Sequence, residues 1–253
     1  MDLLKSQTSI EDVYKKIKIV KGDQFVTIED TKNLTNQEML CLVADLVNKP
    51  YIQHAKNVTI LVDSKFNEKV ESLLLENGFT FHDENITVHK ILNESCEEEF
   101  DYTFKTLHEL STNEFKSIWI EAMEGSLNPP SSLNIDELMR SVELELGPNY
   151  EDSCLVAFEK ENPIGVVIPH IEPGTLDEGR LYYFGLVPNE RGKGKSKRLH
   201  QQALKILESS YKATYYIGRT SHRNLPMLNT FAKNGCTVIE QNKVFKKPIH
   251  PLK

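Results

Sequence analysis

The feature that most restricts the fold of this chain is a glycine-containing turn between a predicted strand and a predicted helix. The strand at residues 181–187 ends before Pro188, and the turn reads Arg191-Gly192-Lys193-Gly194-Lys195-Ser196. After the turn, apolar residues recur at the spacing of one helical face, namely Leu199, Ala203, Ile206 and Leu207. A helix start offers unpaired N–H groups, and glycines let the backbone approach an anion closely. The turn is therefore predicted to bind phosphate.

Two common phosphate-binding motifs do not fit this turn. Gly194-Lys195-Ser196 is like the end of a P-loop, but that motif requires glycine where Asn189 stands. The dinucleotide motif GxGxxG could begin at Gly192 and Gly194, but it then requires glycine where Lys197 stands. The sequence therefore disfavours nucleoside triphosphates and dinucleotides as ligands of the turn.

The turn resembles motif A of the GCN5-related N-acetyltransferase (GNAT) superfamily, R/Q-x-x-G-x-G/A after the fourth strand, with Ser196 as the final small residue. The resemblance implies a mixed α+β fold, in which a GNAT-type twisted mixed sheet is flanked by helices. It implies acetyl-CoA as the cofactor, with the pyrophosphate bound by the backbone of Arg191, Gly192, Lys193, Gly194, Lys195 and Ser196. It also implies that the pantetheine arm lies along Phe184, Gly185, Leu186 and Val187, with the N–H of Leu186 at the thioester carbonyl.

A second stretch matches motif B of the same family at the expected separation. Residues 214–217 are predicted to form the fifth strand, and residues 224–236 follow the layout N-x-x-A/M-x-x-x-Y/F-x-K-x-G-F/C. The resemblance assigns Asn224 and Phe231 to the CoA site. The residue types alone also explain Asn224 as the cap of a helix with Pro226 in its first turn. The resemblance covers roughly residues 100–247.

Two catalytic groups frequent in the family are missing from their usual positions. Phe231 replaces the tyrosine that often donates a proton, and the positions of the frequent glutamate are taken by Arg180 and Tyr182. Glu178, in an acidic loop, is therefore predicted to be the general base. Tyr182 and Tyr183 should project to opposite faces of their strand, and we assign Tyr183 to the thioester sulfur. The structural alternatives are a solvated loop for Glu178 and core packing for the tyrosine.

Charge and residue spacing exclude several classes of partner. Thirty basic and 37 acidic side chains give a net charge of −7, which disfavours broad binding to nucleic acid or anionic membranes. The basic run at the turn matches the phosphates of CoA instead. No signal segment is evident and no stretch approaches the ~20 apolar residues of a membrane span, so a cytoplasmic protein is expected. The four cysteines and eight histidines lack metal-type spacing, so no metal is expected.

An acidic, polar stretch at residues 93–99 is predicted to separate two domains. Residues 1–97 would form a small α/β domain, including a hairpin at 79–91, and residues 98–253 the acetyltransferase domain. Segments 77–85 and 234–242 share four identical positions, and both follow a predicted helix and open a strand. The first domain is therefore either a degenerate GNAT-like half without the glycine-rich turn, or a separate α/β domain with a chance match.

These features together predict an N-acyltransferase. The acetyl group of acetyl-CoA would pass directly to an amine of a small molecule or peptide. The alternative is a protein of the same fold that binds acyl-CoA without turnover or has a regulatory role, which the phenylalanine at position 231 favours. Monomer and homodimer both remain open, and the motifs do not specify the acceptor.

Overall fold

The computed structural model describes residues 9–22, 25–92, 102–131 and 133–248, which group into two compact units. Unit 1 takes the described residues within Met1–Asn85 and Glu240–Lys253, and unit 2 takes those within Ile86–Ile239. The units differ from the predicted domains in two segments, because residues 86–92 belong to unit 2 and those from Glu240 onward belong to unit 1. The predicted linker at residues 93–99, with Cys96, lies outside the described residues.

Unit 1 is built from alternating strands and helices. Its elements are α1 (Ile10–Tyr14), β1 (Lys18–Lys21), β2 (Phe25–Glu29), the 3-10 helix η1 (Thr31–Asn33), α2 (Asn36–Leu46), α3 (Pro50–His54), β3 (Asn57–Asp63), α4 (Glu68–Glu76), the first half of β4 (Thr80–Ile91) and most of β10 (Thr237–Pro248). β2 pairs with β1 in antiparallel and with β3 in parallel orientation, and β10 is antiparallel to β3. The core includes the fully buried Ile28, Leu42 and Val70.

Unit 2 is larger and contains both motifs. Its elements are the second half of β4, β5 (Thr103–Lys105), α5 (Thr112–Met123), α6 (Ile135–Leu146), α7 (Tyr150–Ser153), β6 (Leu155–Glu159), β7 (Asn162–Ile171), β8 (Glu178–Leu186), the 3-10 helix η2 (Pro188–Glu190), α8 (Lys195–Ser209), β9 (Tyr215–Ser221), α9 (Leu225–Lys233) and the start of β10. Its strands follow the order β9-β8-β7-β6-β5, and Leu92, just after β4, donates its N–H to the carbonyl of Thr214 before β9.

Helices cover both faces of the unit 2 sheet, because successive strand residues are apolar on both sides. Val156 packs with Trp119 of α5 on one face. Its neighbour Leu155 packs with Leu199 of α8 on the other. The mixed α+β class and the mostly antiparallel sheet flanked by helices are thus confirmed. Among the described residues, no helix is both long and apolar enough to cross a membrane.

Side chains close in the sequence define the helix ends of unit 2. Ser111 and Glu114 form a capping box at the start of α5. Asn134 caps α6, which ends before Gly147 with φ +78°. The predicted hairpin at residues 79–91 is wrong, since Thr80–Ile91 is one strand of 12 residues. Its alternating polar and apolar residues satisfy a strand and carry no turn.

The internal repeat extends far beyond the two nine-residue segments. Adding 157 to the residue numbers carries η1 at 31–33 onto η2 at 188–190, α4 at 68–76 onto α9 at 225–233, and β4 at 80–91 onto β10 at 237–248. Both helices end alike, because the N–H of Phe79 bonds to the carbonyl of Leu74 at 3.0 Å and that of Cys236 to Phe231 at 3.0 Å. The helix-to-strand glycines also agree, with φ +81° at Gly78 and +72° at Gly235. That unit 1 is a degenerate GNAT-like half stays a prediction, and these matching positions are consistent with it.

Candidate active site

A cavity of about 260 Å³ lies between β8 and β9 of unit 2. The two strands pair in parallel at Glu178↔Tyr215 and Gly179↔Tyr216, and further along both strands line the cavity. The loop after α5 and the starts of α8 and α9 line the rest. The lining residues are Ala122, Gly125, Ser126, Leu127, Asn128, Leu181, Tyr182, Tyr183, Phe184, Gly185, Leu186, Arg191, Ser196, Tyr216, Arg219, Thr220, Asn224, Pro226, Met227, Thr230 and Phe231.

Each strand of the cavity carries the same Tyr-x-Gly pattern. A Cβ at Gly185 would lie 2.6 Å from the hydroxyl of Tyr183, and one at Gly218 would lie 2.5 Å from the hydroxyl of Tyr216. Residues two apart point to the same face of a strand, so each tyrosine lies over its glycine. The glycines therefore leave the room that the tyrosine rings need beside the cavity.

The two neighbouring tyrosines of β8 do not point to opposite faces as predicted. The β7–β8 register shifts between Ile168 and Pro169, which makes Tyr182 the extra residue of a bulge. A bulge breaks the alternation of faces, and the rings of Tyr182 and Tyr183 both pack against Trp119, with centroids 6.5 and 5.4 Å away. The Tyr183 hydroxyl donates to the carbonyl oxygen of Ala122 at 2.7 Å, so its proton is already engaged. Burial also raises the pKa of Tyr183.

The backbone of the glycine turn has the form that an anion site needs. Gly192 and Gly194 have φ values of +74° and +77°, which glycine adopts at little cost. Gly194 is the N-cap of α8, and no side chain of the described residues caps that helix start. A Cβ at either glycine would meet no described atom within 4 Å, so the turn is open on that side. A helix start without a side-chain cap leaves its first N–H groups available to a phosphate ligand.

The side chain of Arg191, the first residue of the turn, forms hydrogen bonds within the protein. Arg191 donates from Nε to the carbonyl of Leu186 at 3.0 Å, from Nη1 to Glu124 at 2.6 Å, and from Nη2 to Ala122 at 2.9 Å. All three acceptors are backbone oxygens beside the cavity. Arg191 therefore ties the end of α5 and the following loop to the end of β8.

The other turn side chains are engaged in different ways. Lys195 forms ion pairs with Glu159 at 2.8 Å and Glu190 at 2.5 Å, and Lys193 lies 3.3 Å from Glu190. Ser196 lines the cavity and accepts a hydrogen bond from Thr230 at 3.0 Å. With these lysines paired, the phosphate-binding capacity of the turn resides mainly in its backbone.

Of the residues predicted beside the pantetheine arm and the thioester, two do not line the cavity, Val187 and Glu178. Val187 is buried in the core with Trp119, and its N–H donates to the carbonyl of Ile164 at 3.0 Å. Glu178 starts β8, eight residues and roughly 26 Å of extended strand from Leu186. There it pairs with Arg180 at 2.5 Å and accepts from the Tyr215 hydroxyl at 3.1 Å. Neither position allows direct contact with a ligand held beside Leu186.

Both motif B residues line the cavity. The Asn224 side chain accepts the N–H of Met227 at 3.3 Å and donates to Thr220 at 3.0 Å, so its capping role is filled. The Phe231 ring packs on Tyr216, with centroids 6.3 Å apart, and on the fully buried His200 of α8, at 5.4 Å. Burial, with a smaller effect of Lys90, lowers the pKa of His200 to about 3, so this ring is neutral at physiological pH.

The sequence motifs did not identify Asn128, which connects the loop after α5 to motif B. Its Oδ1 accepts from the Thr220 hydroxyl at 2.8 Å, from the Ser221 N–H at 3.0 Å and from Asn224 at 3.4 Å. These partners lie 92 to 96 residues away in the chain. A lone asparagine in a loop offers no periodic signal, so only the structure could identify this contact.

The corresponding turn of unit 1 is closed by its own side chains. At the start of α2, Thr35 and Glu38 form a capping box, and Glu38 accepts the Thr35 N–H at 2.9 Å. Its other oxygen lies 2.6 Å from Lys16 Nζ. The hydrogen bond from Lys16, followed by that from the Thr35 backbone, lowers the pKa of Glu38 to about 2. In unit 1 the Glu38 carboxylate thus accepts the N-cap N–H and the Thr35 hydroxyl accepts the N–H of Glu38, whereas no described side chain caps the start of α8.

Comparisons with known proteins agree with this site. The model of the acetyltransferase (GNAT) family matches residues 105–236. A search of curated proteins finds no matching sequence. Among solved structures, a GCN5-related N-acetyltransferase from Sphaerobacter thermophilus is similar with a TM-score of 0.62 and 13% identity, over 93% of this chain and 76% of that one.

Two further structures show the same fold. A functionally unknown conserved protein from Staphylococcus epidermidis has a TM-score of 0.59 and 11% identity, over 96% of this chain and 98% of its own. A tandem GNAT protein from the clavulanic acid biosynthesis pathway has a TM-score of 0.57 and 10% identity, over 94% and 79% of the two chains. The family model spans more than half of this chain, including the turn and both cavity strands, and the chain therefore belongs to the GNAT family of acetyltransferases.

Proposed function

We propose that this protein transfers an acetyl group from acetyl-CoA to an amine. Membership of the GNAT family supports acyl transfer in general. The observation that carries the proposal is the open helix start at Gly194 at the end of the strand that lines the cavity. The turn suits the diphosphate of CoA, and the adjoining cavity suits its narrow pantetheine arm.

In this proposal the ligand is held chiefly by backbone. The N–H groups after Gly194 bind the diphosphate, and Phe184, Gly185 and Leu186 flank the pantetheine arm. We keep the N–H of Leu186 as the donor to the thioester carbonyl, because Leu186 lines the cavity. Such a preorganised donor stabilises developing charge by about 3–4 kcal/mol. Acetyl-CoA supplies the activated acetyl thioester, and Arg191 and Asn128 hold the loop wall in place.

We infer that no tyrosine of the cavity is needed as a general acid. Burial raises the pKa of Tyr182, Tyr183 and Tyr216, so each stays protonated at neutral pH. The leaving thiol has an ordinary pKa of about 8.5, which makes each phenol a weaker acid than the thiol it would protonate. Positioning and charge stabilisation, rather than proton donation from a tyrosine, then provide the rate enhancement.

The second candidate function is acyl-CoA binding without turnover. The observation that favours it is the charge of the cavity, since the charged side chains among its described lining residues are the two arginines Arg191 and Arg219. Two positive charges do not stabilise a protonated amine in the cavity. A base that deprotonates the amine would have to lie outside these lining residues.

A paired measurement separates the two functions. Calorimetry measures CoA binding, and a thiol-release assay measures transfer from acetyl-CoA to a panel of amines. Binding together with thiol release that depends on the amine supports the transferase. Binding with no thiol released from any amine supports the binding protein, and absence of CoA binding refutes both.

A further inference from the structure

A second cavity of unit 2 has a different electrostatic character. It has a volume of about 750 Å³ and lies where α6, β7 and the β7–β8 loop meet. Glu145, Glu172 and the ring of His170 contribute to its wall. None of these residues lines the cavity between β8 and β9.

Negative charge in this region exceeds positive charge. The carboxylates of Glu145 and Glu172 both lie 3.8 Å from Nε2 of His170. Arg180 lies 3.5 Å from Glu172 and 2.5 Å from Glu178. Three carboxylates therefore face one guanidinium, and two negative charges remain in excess while the imidazole is neutral.

His170 does not neutralise this excess. It is only 5% exposed, and within the described part of the chain neither of its ring nitrogens has a hydrogen-bond partner of good geometry, although the backbone of Ile168 is close enough to favour its charged form. Burial, and then Arg180, lower the pKa of His170 to about 4. The ring is therefore neutral at physiological pH, and a buried polar group without a partner is costly.

The negative charge of Glu145 is also not fully compensated by its neighbours. Its side chain is 40% exposed, so a ligand can reach it. Burial, and then the charge of Glu172, raise the pKa of Glu145. Arg180 offsets this effect only in part and the imidazole is neutral, so the carboxylate still gains from a further cation.

We propose that this cavity binds an organic ammonium group of the acceptor, held between Glu145 and Glu172 above the ring of His170. The proposal rests on the proposed acetyl transfer and names the chemical class of its acceptor. The volume is too large for a bare metal ion and suits an alkylammonium chain.

Tyr182 connects this cavity to the candidate active site. It lines the cavity between β8 and β9, and its ring centroid lies 6.4 Å from that of His170. Arg180 pairs with His170 in the sheet, and the strand from Arg180 to Leu186, whose N–H is the proposed donor to the thioester, spans roughly 17 Å when the bulged Tyr182 is left out. The acceptor is therefore an elongated diamine, with one ammonium anchored at Glu145 and the second amino group beside the thioester.

The first test measures binding without any acyl transfer. Calorimetry with 1,8-diaminooctane is performed on the full chain, on Glu145→Gln, on Glu172→Gln and on Glu143→Gln, an exposed position of the same helix. We expect each of the first two variants to weaken binding at least fivefold and Glu143→Gln to leave it unchanged. Equal affinity of all four proteins, or no binding to the parent at millimolar concentration, would overturn the proposal. So would displacement of the diamine by Mg²⁺ alone.

The second test separates this proposal from the proposed function. Thiol release from acetyl-CoA is compared for 1,12-diaminododecane, which is long enough to reach from Glu145 to Leu186, and dodecylamine, which has the same chain and one amino group. We expect Glu145→Gln to raise KM for the diamine at least fivefold with kcat nearly unchanged, and to leave dodecylamine unaffected. Thiol release with a diamine KM that Glu145→Gln does not change refutes the ammonium site alone. Diamine binding that depends on Glu145, without thiol release, supports the site and refutes the transferase.

Discussion

Tyr183 and Arg191 donate hydrogen bonds to the same acceptor, the carbonyl oxygen of Ala122, at 2.7 and 2.9 Å. A strand residue of the cavity and a residue of the phosphate turn thus share one anchor at the end of α5. Because the guanidinium also reaches Leu186 and Glu124, its planar fork matters as well as its charge.

We therefore expect Arg191→Lys and Arg191→Met to have similar effects. Both lose the directed bonds to three carbonyls, which should cost about 1–3 kcal/mol of unfolding free energy and weaken CoA binding. Urea unfolding and CoA calorimetry measure the two effects, and Lys193→Met is the control. Full recovery by lysine would show that charge alone accounts for the role of Arg191.

Gly194→Val should reduce CoA affinity at least ~10-fold, or about 1.4 kcal/mol. The φ of +77° is unfavourable for a β-branched residue, and the added side chain would enter the open space next to the helix start. Calorimetry measures the affinity, with circular dichroism to confirm folding. Gly174→Val is a matched control, because Gly174 has φ +87° and equally open surroundings but lies outside the candidate active site.

Lys197→Ala should weaken CoA binding only mildly, and more at low salt, because an exposed lysine acts through screened attraction. Calorimetry at two salt concentrations measures the difference. A parent-like affinity of Gly194→Val would mean that the diphosphate binds elsewhere. An effect of Lys197→Ala as large as that of Gly194→Val would mean that side chains dominate the turn.

Tyr216→Phe should retain transfer activity, with kcat reduced less than about threefold, because loss of a true general acid costs about 100-fold or more. Steady-state thiol release measures kcat, with Tyr211→Phe, which lies outside the cavity between β8 and β9, as the control. A loss of two orders of magnitude in Tyr216→Phe alone would identify its hydroxyl as the acid that Phe231 lacks.

His200 should make the protein less stable as the pH falls. Its pKa is lowered to about 3 in the folded state, while an unfolded histidine titrates near 6.5. Between these values the unfolded chain binds the extra proton, so stability should fall by up to about 1.4 kcal/mol per pH unit below about pH 6.5. Urea unfolding from pH 7 to pH 4 should show a flatter dependence in His200→Leu. An exposed histidine variant, His54→Leu, should keep the parent slope.

Glu38 of unit 1 should also lose its stabilising effect on acidification, but in a lower pH window. Its pKa is lowered from 4.5 to about 2, so its stabilising charge is present above about pH 4.5 and is lost as the pH falls toward 2. Glu38→Gln can keep the capping geometry but not the charge. Urea unfolding should show that this variant is less stable than the parent near pH 7 and that the difference closes below pH 4.5. A difference independent of pH would mean that packing, not charge, is responsible.

The sequence predicted those parts of the fold that depend on neighbouring residues. The Asn224 cap and the helix-to-strand glycines follow from residues within a few positions. The glycine turn was identified for the same reason. The nine-residue match at Asn77 and Asn234 is the most similar part of a predicted repeat, and the positions of η1, α4 and β4 are consistent with it.

The errors around the candidate active site involve distant parts of the chain. The bulge at Tyr182 depends on register with β7, which no local pattern specifies. Glu178 was placed near the thioester from its position in a loop, but the length of β8 separates it from Leu186. Asn128 acts through residues more than 90 positions away. The sequence therefore predicted the phosphate turn better than the groups around the acceptor.

The second half of β4 belongs to unit 2, and most of β10 belongs to unit 1. This exchange of strands restricts where the gene could be divided. Val88 and Leu92, encoded with the first half, are buried in the core of unit 2. Phe245, encoded with the second half, is buried in the core of unit 1. A recombination event at the acidic stretch would deprive each product of core residues and leave it with an unmatched strand. The two halves of the chain are therefore expected to be inherited together, although only the second half has a phosphate turn without a side-chain cap.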